Sequence, residues 1–291
     1  MALATLGGLG LAWGGWALWP ARPADCRLDV LAVGDGRAAV LTTPDGAAIV
    51  LNAGTNTNAD AGETVVRALR AAGARRVAAC VTSSARYTDF SGLPTLLAGW
   101  RVEHWLVGPG FPAPRRGLVR LYERLPPNAP SPTVLAAGES AACGPVTLAA
   151  LWPPRDEPRD RPLVLRAAAG GLRILVVEAV DAAAVAGLLT AERDGDMELR
   201  ADVLLLPRHG RADVDAVAEL VAAVAPRLVL VSATSAPPGL APRVEDVLGA
   251  PDRLWVTGER GAVTVRWIPG GTPRVTAMRG PAAPPAAPTA P

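Results

Sequence analysis

The chain has 291 residues, half of them hydrophobic and 4% aromatic, enough apolar material for one large domain and too much for a wholly disordered chain. It contains two histidines, three cysteines and no lysine, which excludes a Walker-type phosphate loop and makes a histidine-rich two-metal centre hard to assemble. Its 29 basic residues, all arginine, are scattered and nearly balanced by 27 acids for a net charge of +2, so charge alone does not point to nucleic acid.

Ala2 to Pro20 carry no charge and, as a helix at ~1.5 Å per residue, would reach about 29 Å, close to the thickness of a bilayer core. Residues 1–20 are therefore expected to form one uncleaved transmembrane helix, followed by a linker over 21–27. No arginine precedes the stretch, as a signal peptide would need, and Pro23-Ala24-Asp25-Cys26 makes a poor lipobox. Trp13, Trp16 and Trp19 share one helical face, with Trp19 at the expected interface. Arg22 and Arg27 follow the segment and favour a cytoplasmic main domain by the positive-inside rule.

The main domain is expected over 28–270. Leu28 to Val33, Ala38 to Thr42 and Ala47 to Leu51 read as strands of an antiparallel meander, with turns at Gly34-Asp35-Gly36 and Pro44-Asp45-Gly46. Gly62 to Ala72 places Val65, Val66 and Leu69 on one helical face, and Val77 to Thr82 returns as a buried strand. Pro94 to Trp100 reads as a helix, Val102 to Val107 as a strand and Gly117 to Arg124 as a helix. Proline-rich loops follow at 126–132 and 153–162. The second half carries strands at Val146 to Leu151, Leu163 to Ala167, Arg173 to Val177, Val203 to Leu206 and Leu228 to Ser232. Helices fall at Val180 to Leu189 and Asp213 to Val224, and a strand pair closes the domain at Leu254 to Val256 and Ala262 to Ile268. Two such halves predict an α/β architecture with two sheets face to face and helices outside. Residues 271–291, rich in proline and alanine, read as a disordered tail.

Four stretches carry a family resemblance. The first is Leu28-Asp29-Val30, Val33-Gly34-Asp35-Gly36, Thr43-Pro44-Asp45-Gly46 and Leu51-Asn52-Ala53-Gly54. The second runs from Gly62-Glu63-Thr64 to Ser83-Ser84-Ala85-Arg86-Tyr87-Thr88-Asp89-Phe90-Ser91-Gly92-Leu93. The third is Arg173 to Val180, and the fourth Ala201-Asp202-Val203 to Pro207-Arg208-His209-Gly210. In order and spacing these resemble the metallo-β-lactamase fold, an αββα four-layer sandwich, and specifically the carboxy-terminal domain of the ComEC family of bacterial DNA-uptake proteins. The resemblance implies a two-metal site holding zinc or manganese, a bacterial inner-membrane location and a ComEC-like channel protein as partner.

At the positions where the family's ligands fall, this chain has other residues. Asn52 stands for an aspartate; Ser84, Arg86 and Thr88 stand for three ligands of the central motif, and Asp89 is the one residue there able to bind metal. Ala179 replaces the aspartate that commonly bridges the metals, next to Glu178. Arg208 replaces a histidine, while His209 is kept. A guanidinium at Arg86 stays protonated, repels metal and attracts anions. Arg86 and Arg208 are expected either to pair with Asp89 and Glu178 or, with Arg75 and Arg76, to form an anion pocket. His104, on a strand away from these motifs, reads as structural. Ser83 and Ser84 sit in no nucleophile elbow and read as strand-end turn residues. Cys26, Cys80 and Cys143 form no C-x-x-C and read as isolated thiols.

The expected function is thus a membrane-anchored, non-enzymatic scaffold or binding domain without cofactor. Two alternatives stay open: a residual phosphodiesterase with one ion held by Asp89, Glu178 and His209, and an anion or single-stranded nucleic-acid binder using Arg86 and Arg208.

Overall fold

A computed structural model describes residues 24–111, 116–156, 161–177, 182–207, 213–236 and 238–279. The expected transmembrane segment at 1–20 lies outside them. Among the described residues no helix is long and apolar enough to cross a membrane.

Two mixed sheets form the centre. The first begins as the expected meander, β1 (Cys26–Val30), β2 (Gly36–Thr42) and β3 (Ala47–Thr55), paired antiparallel. Helix α1 (Ala61–Ala71) carries the chain to β4 (Arg76–Thr82), parallel to β3. Its N-terminus is capped by Asp60, whose Oδ1 accepts from the Gly62 N–H at 2.7 Å while Oδ2 accepts from the Thr95 hydroxyl at 2.6 Å. A one-turn helix α2 (Tyr87–Phe90) and α3 (Leu93–Gly99) lead to β5 (Val102–Val107), and α4 (Arg116–Arg124) leads to β6 (Pro132–Val134). Both new strands add in parallel.

The second sheet starts antiparallel with β7 (Ser140–Cys143), β8 (Val146–Trp152), β9 (Val164–Ala169) and β10 (Leu172–Val176). It continues in parallel through α5 (Ala182–Arg193), β11 (Val203–Pro207), α6 (Val214–Val224), β12 (Leu228–Ser232), α7 (Leu240–Leu248) and β13 (Leu254–Val256). After a short helix α8 (Thr257–Arg260) the chain returns to the first sheet as β14 (Val263–Trp267), antiparallel to β1, and β15 (Arg274–Ala277) covers β14. The strand orders are β15-β14-β1-β2-β3-β4-β5-β6 and β13-β12-β11-β10-β9-β8-β7.

Two expectations are corrected here. Leu254 to Val256 and Ala262 to Ile268 are not a pair: they belong to different sheets, because the chain crosses between them at α8. The hairpin that closes the domain is β14–β15, so the first sheet extends past residue 270, where only a tail was expected.

Alternation along the strands builds three apolar layers. Leu28, Leu41, Ile49 and Val81 face Leu148, Leu165, Ile174 and Leu230 between the sheets. Val40, Val50 and Cys80 pack outward on Val65, Leu69 and Leu96 of α1 and α3. Leu175, Leu204 and Val229 face Leu188, Leu220 and Val244 of α5, α6 and α7. Four layers result, helix, sheet, sheet, helix, as the strand and helix order implied. Each fully buried leucine contributes about 2 kcal/mol of transfer free energy.

Candidate functional site

The carboxyl ends of the parallel strands in both sheets converge, the usual location of a site in α/β folds. A cavity of about 20 Å³, room for one water, is lined there by Arg37, Leu51, Val176, Leu205 and Ser232. The sheets are stitched at this end by two hydroxyls: Ser232 donates to the Gly36 carbonyl at 3.2 Å and Thr234 to Asp35 Oδ1 at 3.1 Å.

Within β3, Asn52 falls where the pairing with β2 shifts register, and its φ of 58° is left-handed, a region asparagine enters more easily than most residues. The bend aims its amide at the end of β4, where Oδ1 accepts from the Ser83 N–H at 2.8 Å and from the Ser83 hydroxyl at 3.0 Å. Two residues on, Gly54 passes against α2: a Cβ there would lie 2.3 Å from the Thr88 carbonyl. Only glycine lets β3 approach so closely, and that approach sets α2 and Asp89 against the sheet.

Asp89 is completely buried. Its Oδ1 accepts from Arg37 Nη1 at 2.8 Å and from the Thr88 hydroxyl at 3.3 Å, and its Oδ2 accepts from the Ser84 hydroxyl. Arg37 stands at the start of β2, its side chain 8% exposed. A buried ion pair of this kind persists only when extra donors satisfy the carboxylate, and here two hydroxyls do so. Arg37 was not singled out in the sequence.

The expectation for Arg86 is therefore corrected. Arg86 is exposed at the N-cap of α2 and makes no ion pair among the described residues; it does not occupy the centre of the site, and the partner of Asp89 is Arg37. The reason is the path of the chain: the turn from Ser84 into α2 points Arg86 to solvent, whereas strand alternation turns Arg37 inward beside Ala39 and Leu41. Nor do Arg75 and Arg76 join Arg86. Arg75 and Arg76 lie at the opposite end of β4, where Arg76 pairs with Asp45 at 3.3 Å and Glu103 at 3.1 Å. His104 is exposed on β5, opposite Ala79.

Ser83 and Ser84 are strand-end residues as expected, each committed to the site's hydrogen bonds. Glu178, Ala179, Arg208 and His209 lie outside the described residues; they follow β10 and β11, whose ends border the cavity. Just before the site, burial raises the Cys80 thiol to about 12, so it is an inert core residue. All three cysteines are buried and free.

No family model matches the chain, and no curated protein matches it by sequence. Solved structures match by fold. The metallo-β-lactamase fold protein YhfI from Bacillus subtilis superposes with a TM-score of 0.54 at 10% identity, over 79% of this chain and 96% of that one. CmlA, a diiron β-hydroxylase from Streptomyces venezuelae, superposes with a TM-score of 0.52 at 14% identity over 83% of this chain. The match spans 54%, about half, of CmlA's length. The chain has the metallo-β-lactamase fold.

That fold implies metal, but the described part of the site does not fit it. Among the described residues no three histidines, cysteines, aspartates or glutamates are placed to hold an ion. The buried carboxylate at the site, Asp89, has a guanidinium 2.8 Å away, and a divalent ion on the same oxygen would sit against that positive charge.

Proposed function

We propose that this chain is a catalytically degenerate metallo-β-lactamase-fold domain, related to the carboxy-terminal domain of ComEC-type DNA-uptake proteins. It serves as a scaffold or binding module, held at a bacterial inner membrane through residues 1–20. One observation carries the loss of catalysis: Asp89, the single carboxylate at the expected ligand positions between Asn52 and Asp89, is buried and consumed by Arg37, Ser84 and Thr88. The same observation weighs against a one-ion phosphodiesterase built on Asp89.

Metal analysis of the chain purified from zinc- and manganese-supplemented cultures tests the proposal. Substoichiometric metal is the expected result; about two ions per chain would overturn it. A second reading, binding of an anionic ligand such as single-stranded nucleic acid, is favoured by the exposure of Arg86 beside the site. Binding that weakens steeply with salt and is lost in Arg86→Ala supports that reading, and binding indifferent to both refutes it.

A further inference from the structure

We infer that the groove between α2 and α4 is a docking site for an acidic amphipathic helix of a partner protein, a partner class that rests on the reading of this chain as a binding module. The groove has a volume of about 460 Å³. Phe90, Pro94 and Leu121, all buried, line its depth, and exposed Tyr87, Arg120 and Arg124 line its rim. Because α2 is a single turn of four residues, it leaves the flank of α4 beside it uncovered.

The rim is positively charged and unpaired. Arg116, Arg120 and Arg124 recur at every fourth residue of α4, on one stripe of the helix with about 6 Å of rise between successive positions. All three are exposed, and none of them makes an ion pair among the described residues. Arg86, beside Tyr87 at the N-cap of α2, is a fourth such cation. Like charges four residues apart destabilise a helix, so α4 carries its arginine row at a small cost that a partner's carboxylates relieve.

A partner helix with a glutamate at every fourth position repeats its carboxylates at the same rise as the arginines, and an apolar stripe beside them enters the groove. Two features favour such a helix over single-stranded nucleic acid. Tyr87, 56% exposed, is the one exposed aromatic ring on the lining, whereas a strand of bases stacks on several. Glu123 also lines the groove and repels a backbone that is charged at every unit. A helix leaves the position facing Glu123 free to be neutral or basic.

The test is fluorescence anisotropy of a labelled, helix-forming peptide of about 14 residues, four turns, titrated with the full chain. The peptide has glutamate at every fourth position and leucine on the adjoining stripe. Saturable binding with a dissociation constant below about 100 µM is expected, weakening as salt rises. Replacing both Arg120→Glu and Arg124→Glu should weaken it by about tenfold or more, and should create binding of the counterpart peptide with lysine for glutamate. Both arginines are exposed, so the double variant should keep the urea midpoint of the unaltered chain. No binding overturns the inference, as does equal binding of a peptide with the same residues in scrambled order, or binding indifferent to the double variant. Oligo(dT) that displaces the peptide, and whose own binding is lost in Tyr87→Ala, overturns it in favour of nucleic acid. None of these results restores catalysis to the chain, whereas about two metal ions per chain defeats the proposed function whether or not the peptide binds.

Discussion

At one end of the inter-sheet core, Trp267 and Cys26 fill the space between β14, β1 and β9, and the single polar atom of the indole donates to the Ala169 carbonyl at 3.1 Å. At the other end Arg37, Asp89, Ser84 and Asn52, every one of them buried, tie β2, β3 and the end of β4 to α2. The first closure works by volume: apolar side chains exclude water, and burial together with Asp25 and Asp45 pushes the Cys26 thiol up to about 11. The second works by charge and hydrogen bonding, in a place where an apolar side chain of the same size would pack without specifying where the β4–α2 turn must sit. Adaptable chemistry belongs to the second end, because its parts hold one another by reciprocal polar contacts that a substitution or a ligand can rearrange.

The contrast can be broken first at the apolar end. Trp267→Ala opens a large cavity and should cost about 3–5 kcal/mol of unfolding free energy in urea titrations. At the polar end, Asp89→Asn removes the carboxylate charge that faces Arg37 across a 2.8 Å contact and should cost about 3 kcal/mol. Because the pair is buried, that loss should change little with added salt, and a strong salt response would place the pair at the surface.

Asn52→Gly keeps the left-handed backbone but removes the acceptor for Ser83, so a loss of about 1–2 kcal/mol is expected. Asn52→Ala should lose more, since alanine resists that backbone region; equal losses would mean the backbone geometry contributes nothing. The smallest effect concerns Asp45, in the β2–β3 turn near Cys26. Burial raises its pKa, but the Thr43 hydroxyl, the Ala47 N–H and Arg76 outweigh this and hold it below the ordinary carboxylate value. A carboxylate lowered in the folded state adds stability above its unfolded value, near pH 4, and loses it as pH falls through the folded one. Asp45→Asn should therefore flatten the acid limb of the stability curve through a small loss at neutral pH that vanishes once pH falls below the folded value, as urea titrations across pH would show.

The core strands were legible because burial on both faces makes them runs of aliphatic residues: Val102–Val107 and Leu228–Ser232 have the expected bounds. β6, β7 and β15 were not anticipated, since edge strands such as Pro132–Val134 and Arg274–Ala277 are short and face solvent, leaving little apolar pattern to read. Helix α7 was hidden by Pro242, which is tolerated in its first turn. At the site, motif spacing singled out Asn52, Ser84 and Asp89: Ser84 donates directly to Asp89, and Asn52 accepts from the neighbouring Ser83. Arg37 escaped notice because one arginine among 29 beside a turn looks like a surface residue, and its partner lies 52 positions away. Pair formation across that distance is a property of the fold, invisible to local pattern.

The placement of β14 bears on how the protein is made. β1, the first strand described, is flanked on one side by β14, with the Thr264 hydroxyl donating to Asp29 at 2.6 Å across 235 residues. As the chain leaves the ribosome, β1 can pair with β2 at once, yet its other edge stays open until almost the whole polypeptide has been synthesised. Apolar Leu28 and Val30 wait beside that open edge for the longest time of any strand. A chain stopped before Val263 would present the exposed edge permanently, an invitation to pair with a second copy rather than a shorter version of the same domain.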